Sequence, residues 1–330
     1  MIGPTAFVSV DGRRVLDTRP TWQQSTIRYN HSQMSAKPSR LLAIAESLVA
    51  NLIWASTFVL VKIGLNDLGP LTLGGLRYFT AFLLLLPFVA HDARSYRSLP
   101  PRLWVRLIIL GLAAYTLGNG ALYWALQFIS ATTGSVALSL TPLPILFIGI
   151  FWLKEIPTWR QVIGIAVVVV GSALFFSPGQ TGGEPLGLAI VTIGVLGIAL
   201  SGILGREIAR DRQVDTLGLT ALPLAAGGGL LLVLGLLTEN PPKLTTQAGL
   251  VVAWLAVVNT IIAYLLYNHA LQVLTAVEVN VMMNLTPLGT AALAWFLLGE
   301  RVNLIQVVGM AIVIAGVMLV QRRSRARVER

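Results

Sequence analysis

The fold is decided by two stretches of sequence, ALQFISATTGSVALSLTPL (residues 125–143) and ALQVLTAVEVNVMMNLTPL (residues 270–288), which are copies of one another 145 positions apart. From 125 to 171, 18 of 47 residues are identical to their partners 145 positions further on. The identities include Gln, Pro and Glu, which chance similarity between two apolar helices does not supply. The chain therefore contains an internal repeat.

Ten apolar segments surround these stretches, and each is close to the roughly 20 residues that a helix needs to cross a membrane. They run approximately over 41–64, 70–90, 103–125, 131–153, 160–178, 185–205, 216–237, 247–270, 276–298 and 303–321. The composition, 55% hydrophobic and 12% charged, also lies outside the range of soluble proteins.

Each copy of the repeat contains an odd number of helices, so the second copy enters the membrane from the opposite side. We therefore expect an all-α integral membrane fold of ten transmembrane helices, arranged as two inverted five-helix repeats. The first repeat covers 41–178 (helices one to five) and the second covers 185–321 (helices six to ten). Two inverted copies around one site are typical of secondary transporters that work by alternating access.

The net charge of +10 comes from basic residues that punctuate the apolar segments. Of the 24 Lys and Arg, 20 fall in the segments on the side of the two termini and only two in the opposite loops. The positive-inside rule then predicts that both termini are cytoplasmic. Because these residues do not cover one solvated face with aromatic residues among them, no nucleic-acid partner is indicated.

The two ends of the chain are polar. Residues 1–40 have no apolar core, so they are no secretory signal, and we expect a cytoplasmic tail without regular structure. A second interpretation is a misassigned start, in which Met34 begins the chain with a short basic leader, SAKPSR. Residues 322–330 are expected to form a short basic cytoplasmic tail.

Several function classes have no support in the sequence. There are no cysteines, no HExxH metal motif and no GxxxxGK phosphate loop, so we expect no enzyme activity, no cofactor or metal and no ATPase subunit. The expected partners are a small-molecule substrate and the lipid bilayer. A passive channel and a structural membrane subunit stay open as alternatives, and the sequence does not indicate an oligomeric state.

The chain resembles the EamA family of the drug/metabolite transporter superfamily over roughly residues 41–320. The resemblance lies in WASTFVLVKIGL (54–65), GGLRYFTAFLLLLP (74–87) and the two LTPL segments, each followed by a Glu and by QVIGIAVVVVG or QVVGMAIVIAG. It implies a central cavity between the halves and a permease that exports small organic metabolites, such as amino acids or related compounds, across the bacterial inner membrane. An uptake carrier or a solute exchanger of the same fold is the alternative.

Prolines in the middle of helices four and nine, Pro142 and Pro287, give the first candidates for the substrate pathway. A proline frees the backbone carbonyl four residues earlier, and in hydrocarbon that carbonyl needs a partner or a cavity. One turn before the prolines, polar pairs at i, i+4 spacing share a helical face: Ser135 and Ser139, and Asn280 and Asn284. We expect these faces to line the pathway. The alternative is that their polar groups bond between helices.

Arg77 lies about two turns inside helix two, where a charge needs a partner or water. It could bind a substrate carboxylate through two hydrogen bonds, or it could snorkel to the rim or hold helices together. Glu278 shares helix nine with the asparagines and is a candidate for proton coupling. Glu155 and Glu300, equivalent in the repeat, are expected to be structural and to cap the helix that follows each.

The remaining pathway candidates are polar and aromatic residues at mid-helix positions, some of them equivalent in the repeat. They are Asn51, Trp54, Ser56, Asn119, Tyr123, Ser201, Asn259 and Tyr264.

Overall fold

The computed structural model describes residues 6–10, 13–17, 39–91, 93–153, 158–176, 184–211, 213–270, 273–274 and 282–321. The chain divides into two units, Met1–Ser39 and Arg40–Arg330. In the first unit, strands β1 (Ala6–Val10) and β2 (Arg13–Asp17) pair antiparallel. The expectation of a tail without regular structure is wrong for these ten residues, because β-branched residues on both sides of an Asp-Gly dipeptide favour a hairpin.

Helices are the regular structure of the second unit, in the part of it that is described, and they follow the ten segments expected from the sequence. They are α1 (Arg40–Gly64), α2 (Pro70–His91), α3 (Pro101–Gly111, Leu112–Asn119 and Gly120–Ala125), α4 (Ala131–Ser139 and Pro142–Leu153), α5 (Trp159–Phe175), α6 (Pro185–Asp211), α7 (Thr216–Pro223, Leu224–Gly228 and Gly229–Thr238), α8 (Thr246–Ala256, Val257–Ile262 and Ala263–Ala270), α9 (Thr286–Leu298) and α10 (Leu304–Gln321). A short helix, Ala93–Arg97, lies between α2 and α3. The expected start of helix nine falls within 275–281, which lie outside the described residues.

The helices are those of a membrane protein. Within the described residues, 7 are long and apolar enough to cross a membrane, and α5, α9 and α10 are shorter apolar helices. Large apolar side chains face outward, among them Leu237 at 77% and Phe296 at 75% exposure. Such a surface favours contact with hydrocarbon rather than water. The chain is therefore an all-α integral membrane protein with ten transmembrane helices in two inverted repeats.

Glycines bring the two repeats together along α5 and α10. A Cβ added to Gly171 would lie 2.6 Å from the backbone nitrogen of Val313, and one added to Gly309 would lie 2.7 Å from that of Phe175. A side chain at either position would push the two backbones apart, so only glycine permits this approach. Both glycines belong to the set that recurs at the 145-residue offset, and helix packing explains why they do.

Within the described residues, three of the long helices contain a π turn: Leu112–Asn119 in α3, Leu224–Gly228 in α7 and Val257–Ile262 in α8. The first and third begin 145 positions apart, so the widened turn is part of the repeat. In each of these two, a side chain bonds a carbonyl five residues earlier: Asn119 Nδ2 donates to Ala114 O at 2.8 Å, and Thr260 Oγ1 donates to Leu255 O at 2.9 Å. Turns of this kind are frequent at functional sites.

The two ends of the helix bundle are packed differently. We call the end where α1 begins and α10 finishes the terminal end, and the opposite one the distal end. At the distal end a single buried cluster, which includes Leu73, Leu126 and Val251, joins α1, α2, α3, α4, α6, α8 and α9. At the terminal end the described residues form separate clusters, one around Ala43 on α1 and α8, another around Leu107 on α3, α6 and α7. Apolar packing therefore joins the two halves at the distal end.

Polar contacts also join helices at the terminal end. His269 Nδ1 on α8 lies 2.9 Å from the Glu46 carboxylate on α1. On the other side, Arg106 of α3 donates to Asp211 at 2.8 Å and to Glu207 at 3.1 Å, both on α6. The first contact therefore joins α1 to α8, and the others join α3 to α6.

Candidate functional site

A cavity of about 460 Å³ lies between the two halves. Helices α1 to α4 of the first half and α6, α8 and α9 of the second contribute to its wall. Its polar and aromatic lining residues are Trp54, Thr57, Phe58, Arg77, Tyr78, Tyr115, Asn119, Ser135, Ser139, Thr141, Ser201, Thr260, Tyr264, Asn284 and Thr286. A volume of this size is in the range that holds small organic ligands.

A second cavity, of about 360 Å³, lies between α4 and α6. Its wall is almost wholly apolar, with residues such as Leu140, Phe147 and Val195. The hydroxyl of Thr192, which also lines it, donates to Leu188 O of its own helix at 2.8 Å. Because this wall offers so little for orienting a polar solute, the central cavity is the candidate site.

Among the described residues that line the central cavity, Arg77 is the charged one; its side chain is buried, with the residue 5% exposed. Its Nε donates to Thr260 Oγ1 at 3.1 Å, Nη1 to Tyr123 Oη at 2.6 Å and Nη2 to Asn259 O at 3.4 Å. Its Cζ lies 4.9 Å from the ring centroid of Tyr78. Arg77 thus holds α2 to α3 and α8 while facing the cavity, and it does not snorkel to the rim.

The π turn of α8 presents two of these partners. The Thr260 hydroxyl donates to Leu255 O, which leaves its lone pairs for Arg77 Nε. The Asn259 carbonyl accepts from Trp54 Nε1 at 3.0 Å as well as from Arg77. The local widening of α8 therefore places a hydroxyl and a carbonyl where the guanidinium needs acceptors.

At each proline break, the threonine before the proline donates a hydrogen bond to the freed backbone carbonyl. Helix α4 is interrupted before Pro142, and the freed Leu138 carbonyl accepts from the Thr141 hydroxyl at 2.6 Å and from the Thr141 backbone nitrogen at 3.1 Å. In the second half the Met283 carbonyl accepts from the Thr286 hydroxyl, also at 2.6 Å. Both threonines belong to the repeated LTPL segment. The motif therefore supplies both the break and the hydrogen-bond donor that satisfies it.

The structure brings together most of the fifteen pathway candidates that the sequence suggests. Nine line the cavity: Trp54, Arg77, Asn119, Ser135, Ser139, Pro142, Ser201, Tyr264 and Asn284. Five others lie outside its lining: Asn51, Ser56, Tyr123, Asn259 and Pro287. Asn280, and the coupling candidate Glu278, lie outside the described residues.

Polar residues outside the cavity lining hold helices together. The Asn259 amide donates to Ser56 Oγ at 3.1 Å and to Thr57 Oγ1 at 2.8 Å, which ties α8 to α1. Asn51 donates to Met282 O and so ties α1 to the segment that precedes α9. These side chains therefore join the helices that form the wall, and they are not part of the lining.

Sequence reasoning missed several lining residues. Tyr78 and Tyr115, whose ring centroids are 4.7 Å apart, form one aromatic wall. Thr260, the partner of Arg77, was also missed. Helical spacing could have indicated two of the three, because Tyr115 lies four residues before Asn119 and Thr260 four residues before Tyr264.

Glu300 caps a different helix from the one expected. Its carboxylate accepts from Ala131 N at 2.7 Å, Thr132 N at 3.2 Å and Thr132 Oγ1 at 3.0 Å, at the start of α4. The expectation that it caps the following helix is wrong, because Asn303 Oδ1 already accepts from Gln306 N at 2.9 Å there. The first N–H groups of α4 have no acceptor within their own helix, so they donate to the Glu300 carboxylate instead.

The distal end has a second carboxylate cap of the same kind. Glu239, at the end of α7, accepts from Leu71 N at 2.7 Å and Thr72 N at 2.9 Å, at the start of α2. At this end, carboxylates from the second half thus hold the N-termini of two helices of the first half. Glu155, the repeat partner of Glu300, lies outside the described residues, and its capping role stays a prediction.

Comparison with known proteins agrees with this architecture. The model of the EamA-like transporter family matches residues 41–177 and 185–322, one match for each repeat. An uncharacterized transporter of Archaeoglobus fulgidus is 28% identical over 296 residues, covering 87% of this chain and 98% of that protein. The uncharacterized inner membrane transporter YedA of Escherichia coli is 26% identical, covering 82% and 87%. The S-adenosylmethionine/S-adenosylhomocysteine transporter of Chlamydia muridarum is 25% identical, covering 75% and 81%. Since the family model matches both halves, the chain belongs to the EamA-like transporter family and is a membrane transporter.

Proposed function

We propose that the chain is a secondary transporter that exports small organic metabolites, amino acids or related compounds among them, by alternating access. The observation that carries this proposal is the central cavity, because its wall is built from both inverted halves and contains a buried arginine. A site between two inverted repeats becomes accessible from either face when the halves exchange conformations.

The difference between the two ends supports the alternating-access part of the proposal. A continuous apolar cluster and two carboxylate caps close the distal end, whereas the residues that the structure describes at the terminal end form separate clusters. In the exchanged conformation the terminal end would close and the distal end would open. The described conformation is then one of the two states of a transport cycle.

The charge distribution and one relative support the orientation and the location. The segments at the terminal end hold most of the Lys and Arg, which under the positive-inside rule makes that end cytoplasmic. YedA is named an inner membrane transporter. We therefore place the chain in the bacterial inner membrane with both termini in the cytoplasm, so that the sealed distal end faces the periplasm.

The size and chemistry of the cavity support a metabolite-sized substrate. The wall combines five aromatic rings, those of Trp54, Phe58, Tyr78, Tyr115 and Tyr264, with hydroxyl and amide groups. Such a wall suits a solute with an apolar body and a few polar groups. The Chlamydia relative is named for S-adenosylmethionine, an amino-acid derivative, which supports including amino-acid derivatives among the candidates.

The test is transport by the purified protein in proteoliposomes. Solutes are first screened for those that raise its thermal stability, since a ligand that binds the folded state does so. The proposal predicts that a stabilising solute is taken up with a saturable rate. Uptake that stays linear with concentration for every such solute would indicate a channel, and the absence of any uptake would indicate a structural subunit.

Direction and coupling are tested in the same vesicles. Imposed solute gradients of either sign distinguish an exporter from an uptake carrier or an exchanger. For coupling, proton transfer through Glu278 remains a prediction, and transport that is unchanged when the proton gradient is collapsed would rule it out.

A further inference from the structure

We propose that Arg77 binds an anionic group of the substrate, of the carboxylate class, while the planar or apolar part of the solute lies against the aromatic wall of the cavity. This inference rests on the proposed function and narrows it to organic anions and zwitterions. It follows from the charge of the cavity, the donors that Arg77 leaves unused and the side chains around them.

The charge of Arg77 is not neutralised within the part of the chain that the structure describes. Its partners are the hydroxyls of Thr260 and Tyr123, the carbonyl of Asn259 and the ring of Tyr78, all of them neutral. No carboxylate lies within 4.0 Å of it among the described residues. A buried cation inside a membrane is costly without a counter-ion or water. An anionic solute would supply the counter-ion at the site where it is missing.

The hydrogen bonds that Arg77 makes within the protein leave N–H donors that could bind a carboxylate. A guanidinium has five N–H donors, and the described residues accept from one on each of the three nitrogens. One N–H therefore remains on each terminal nitrogen. Two donors in a fixed fork match the two oxygens of a carboxylate, and the neutral partners already hold the fork in place.

The rest of the lining agrees with an anion and argues against a simple organic cation. No aspartate or glutamate is among the described residues that line the cavity. Two aromatic pairs flank the space, Trp54 with Tyr264 at 5.3 Å and Tyr78 with Tyr115 at 4.7 Å between ring centroids. Their faces can contact a flat or aliphatic body, and they can also contact the ammonium group of a zwitterion.

The first test measures the charge preference of the cavity without any known substrate. The chain has no cysteines, so Ser139→Cys places a single thiol in the cavity wall and Asn240→Cys places one in an exposed distal loop. Each purified variant reacts with a sulfonate-bearing and with a trimethylammonium-bearing methanethiosulfonate. Relative to Asn240→Cys, the ratio of anionic to cationic rates should be raised at Ser139→Cys. In the Ser139→Cys protein, adding Arg77→Gln should lower the ratio of anionic to cationic rates about fivefold. Adding Arg77→Lys, which keeps the positive charge, should leave this ratio unchanged.

Two results would overturn the inference. One is a ratio of anionic to cationic rates that is no higher at Ser139→Cys than at Asn240→Cys; this comparison uses protein in which Arg77 is unchanged. The other is a ratio unchanged by Arg77→Gln in protein that melts at the parental temperature. If Arg77→Gln does not fold, the comparison of the two cysteine positions still decides.

The second test compares carboxylates with their amides as ligands. Thermal shifts of the full chain are measured with phenylacetate and phenylacetamide, and with L-leucine and L-leucinamide. At least one acid should stabilise the protein while its amide does not, and Arg77→Gln should abolish the difference. An amide that stabilises as well as its acid, or stabilisation by none of the acids, contradicts the inference.

The two proposals fail in different ways. Saturable transport of a neutral or cationic solute, unaffected by Arg77→Gln, would leave the carrier function standing and remove the anion site. A cavity that prefers anions in a protein that transports no solute would remove the carrier function and leave the anion site.

Discussion

Neutralising Glu300 should loosen the closure of the distal end. In Glu300→Gln, the three donors at the start of α4, Ala131 N, Thr132 N and Thr132 Oγ1, lose their charged acceptor. A hydrogen bond to a charged group contributes about 1.5–3 kcal/mol, and a carboxylate at a helix N-terminus about 0.3–1 kcal/mol. Glutamine keeps one acceptor oxygen, so we expect the closed state to lose about 2 kcal/mol, or about 30-fold in its ratio to the open state.

A single cysteine reports this opening. Leu126 is 1% exposed and belongs to the distal cluster, so Leu126→Cys should react slowly with a polar maleimide in the otherwise cysteine-free chain. Adding Glu300→Gln should raise the labelling rate at least tenfold, because the thiol reacts only when the distal end opens.

The matched control is a carboxylate cap at the opposite end. Asp215 caps α7 at the terminal end, where its Oδ1 accepts from Gly218 N at 3.0 Å. Asp215→Asn removes a similar charge without touching the distal end, so labelling at Leu126→Cys should not change. Equal labelling with and without Glu300→Gln, or equal acceleration by Asp215→Asn, would refute the reasoning.

Further predictions concern the break in α9, the packing of the repeats and the cavity wall. Thr286→Val removes the hydroxyl that lies within hydrogen-bond distance of Met283 O and of Asn51 Oδ1, and it should lower the free energy of unfolding by about 1–3 kcal/mol, whereas Thr286→Ser should not; thermal unfolding compares them. Gly309→Ala places a Cβ 2.7 Å from the Phe175 nitrogen and should cost about 1–3 kcal/mol. Gly249→Ala meets no atom within 4 Å and is its control; equal melting temperatures for the two would contradict the close packing. Asn259→Ala removes the donor to Ser56 and Thr57 and should cost about 1–3 kcal/mol, measured in the same way; an unchanged melting temperature would show that this link between α1 and α8 contributes little.

Much of the fold could be predicted because the repeat and the lengths of the apolar segments can be read directly from the sequence. The boundaries of α1, α2 and α8 lie within one residue of those expected, since polar or helix-breaking residues end each apolar segment. The interruption in α4 was indicated by Pro142, but its extent was not. The hydroxyl of Thr141 that satisfies the freed carbonyl depends on the geometry of the turn.

The candidate site was predictable in part. Arg77 stood out because a charge inside an apolar helix needs a partner, and Trp54 because it is an aromatic residue at a mid-helix position. Their actual partners could not be predicted, because the π turn that presents Asn259 and Thr260 leaves no clear signature in the sequence. Glu300 shows the same limit: its type indicates a cap, but which helix it caps depends on how the loops lie at the distal end.

Counterflow in proteoliposomes tests the central claim, alternating access through one site between the two halves, most directly. Vesicles are loaded with an unlabelled solute that stabilises the protein, and a trace of the same labelled solute is added outside. A carrier predicts that the label accumulates transiently above its outside concentration, because each outward crossing of unlabelled solute returns the site to bind label. Label that only equilibrates, at a rate independent of the unlabelled solute inside, would contradict the account.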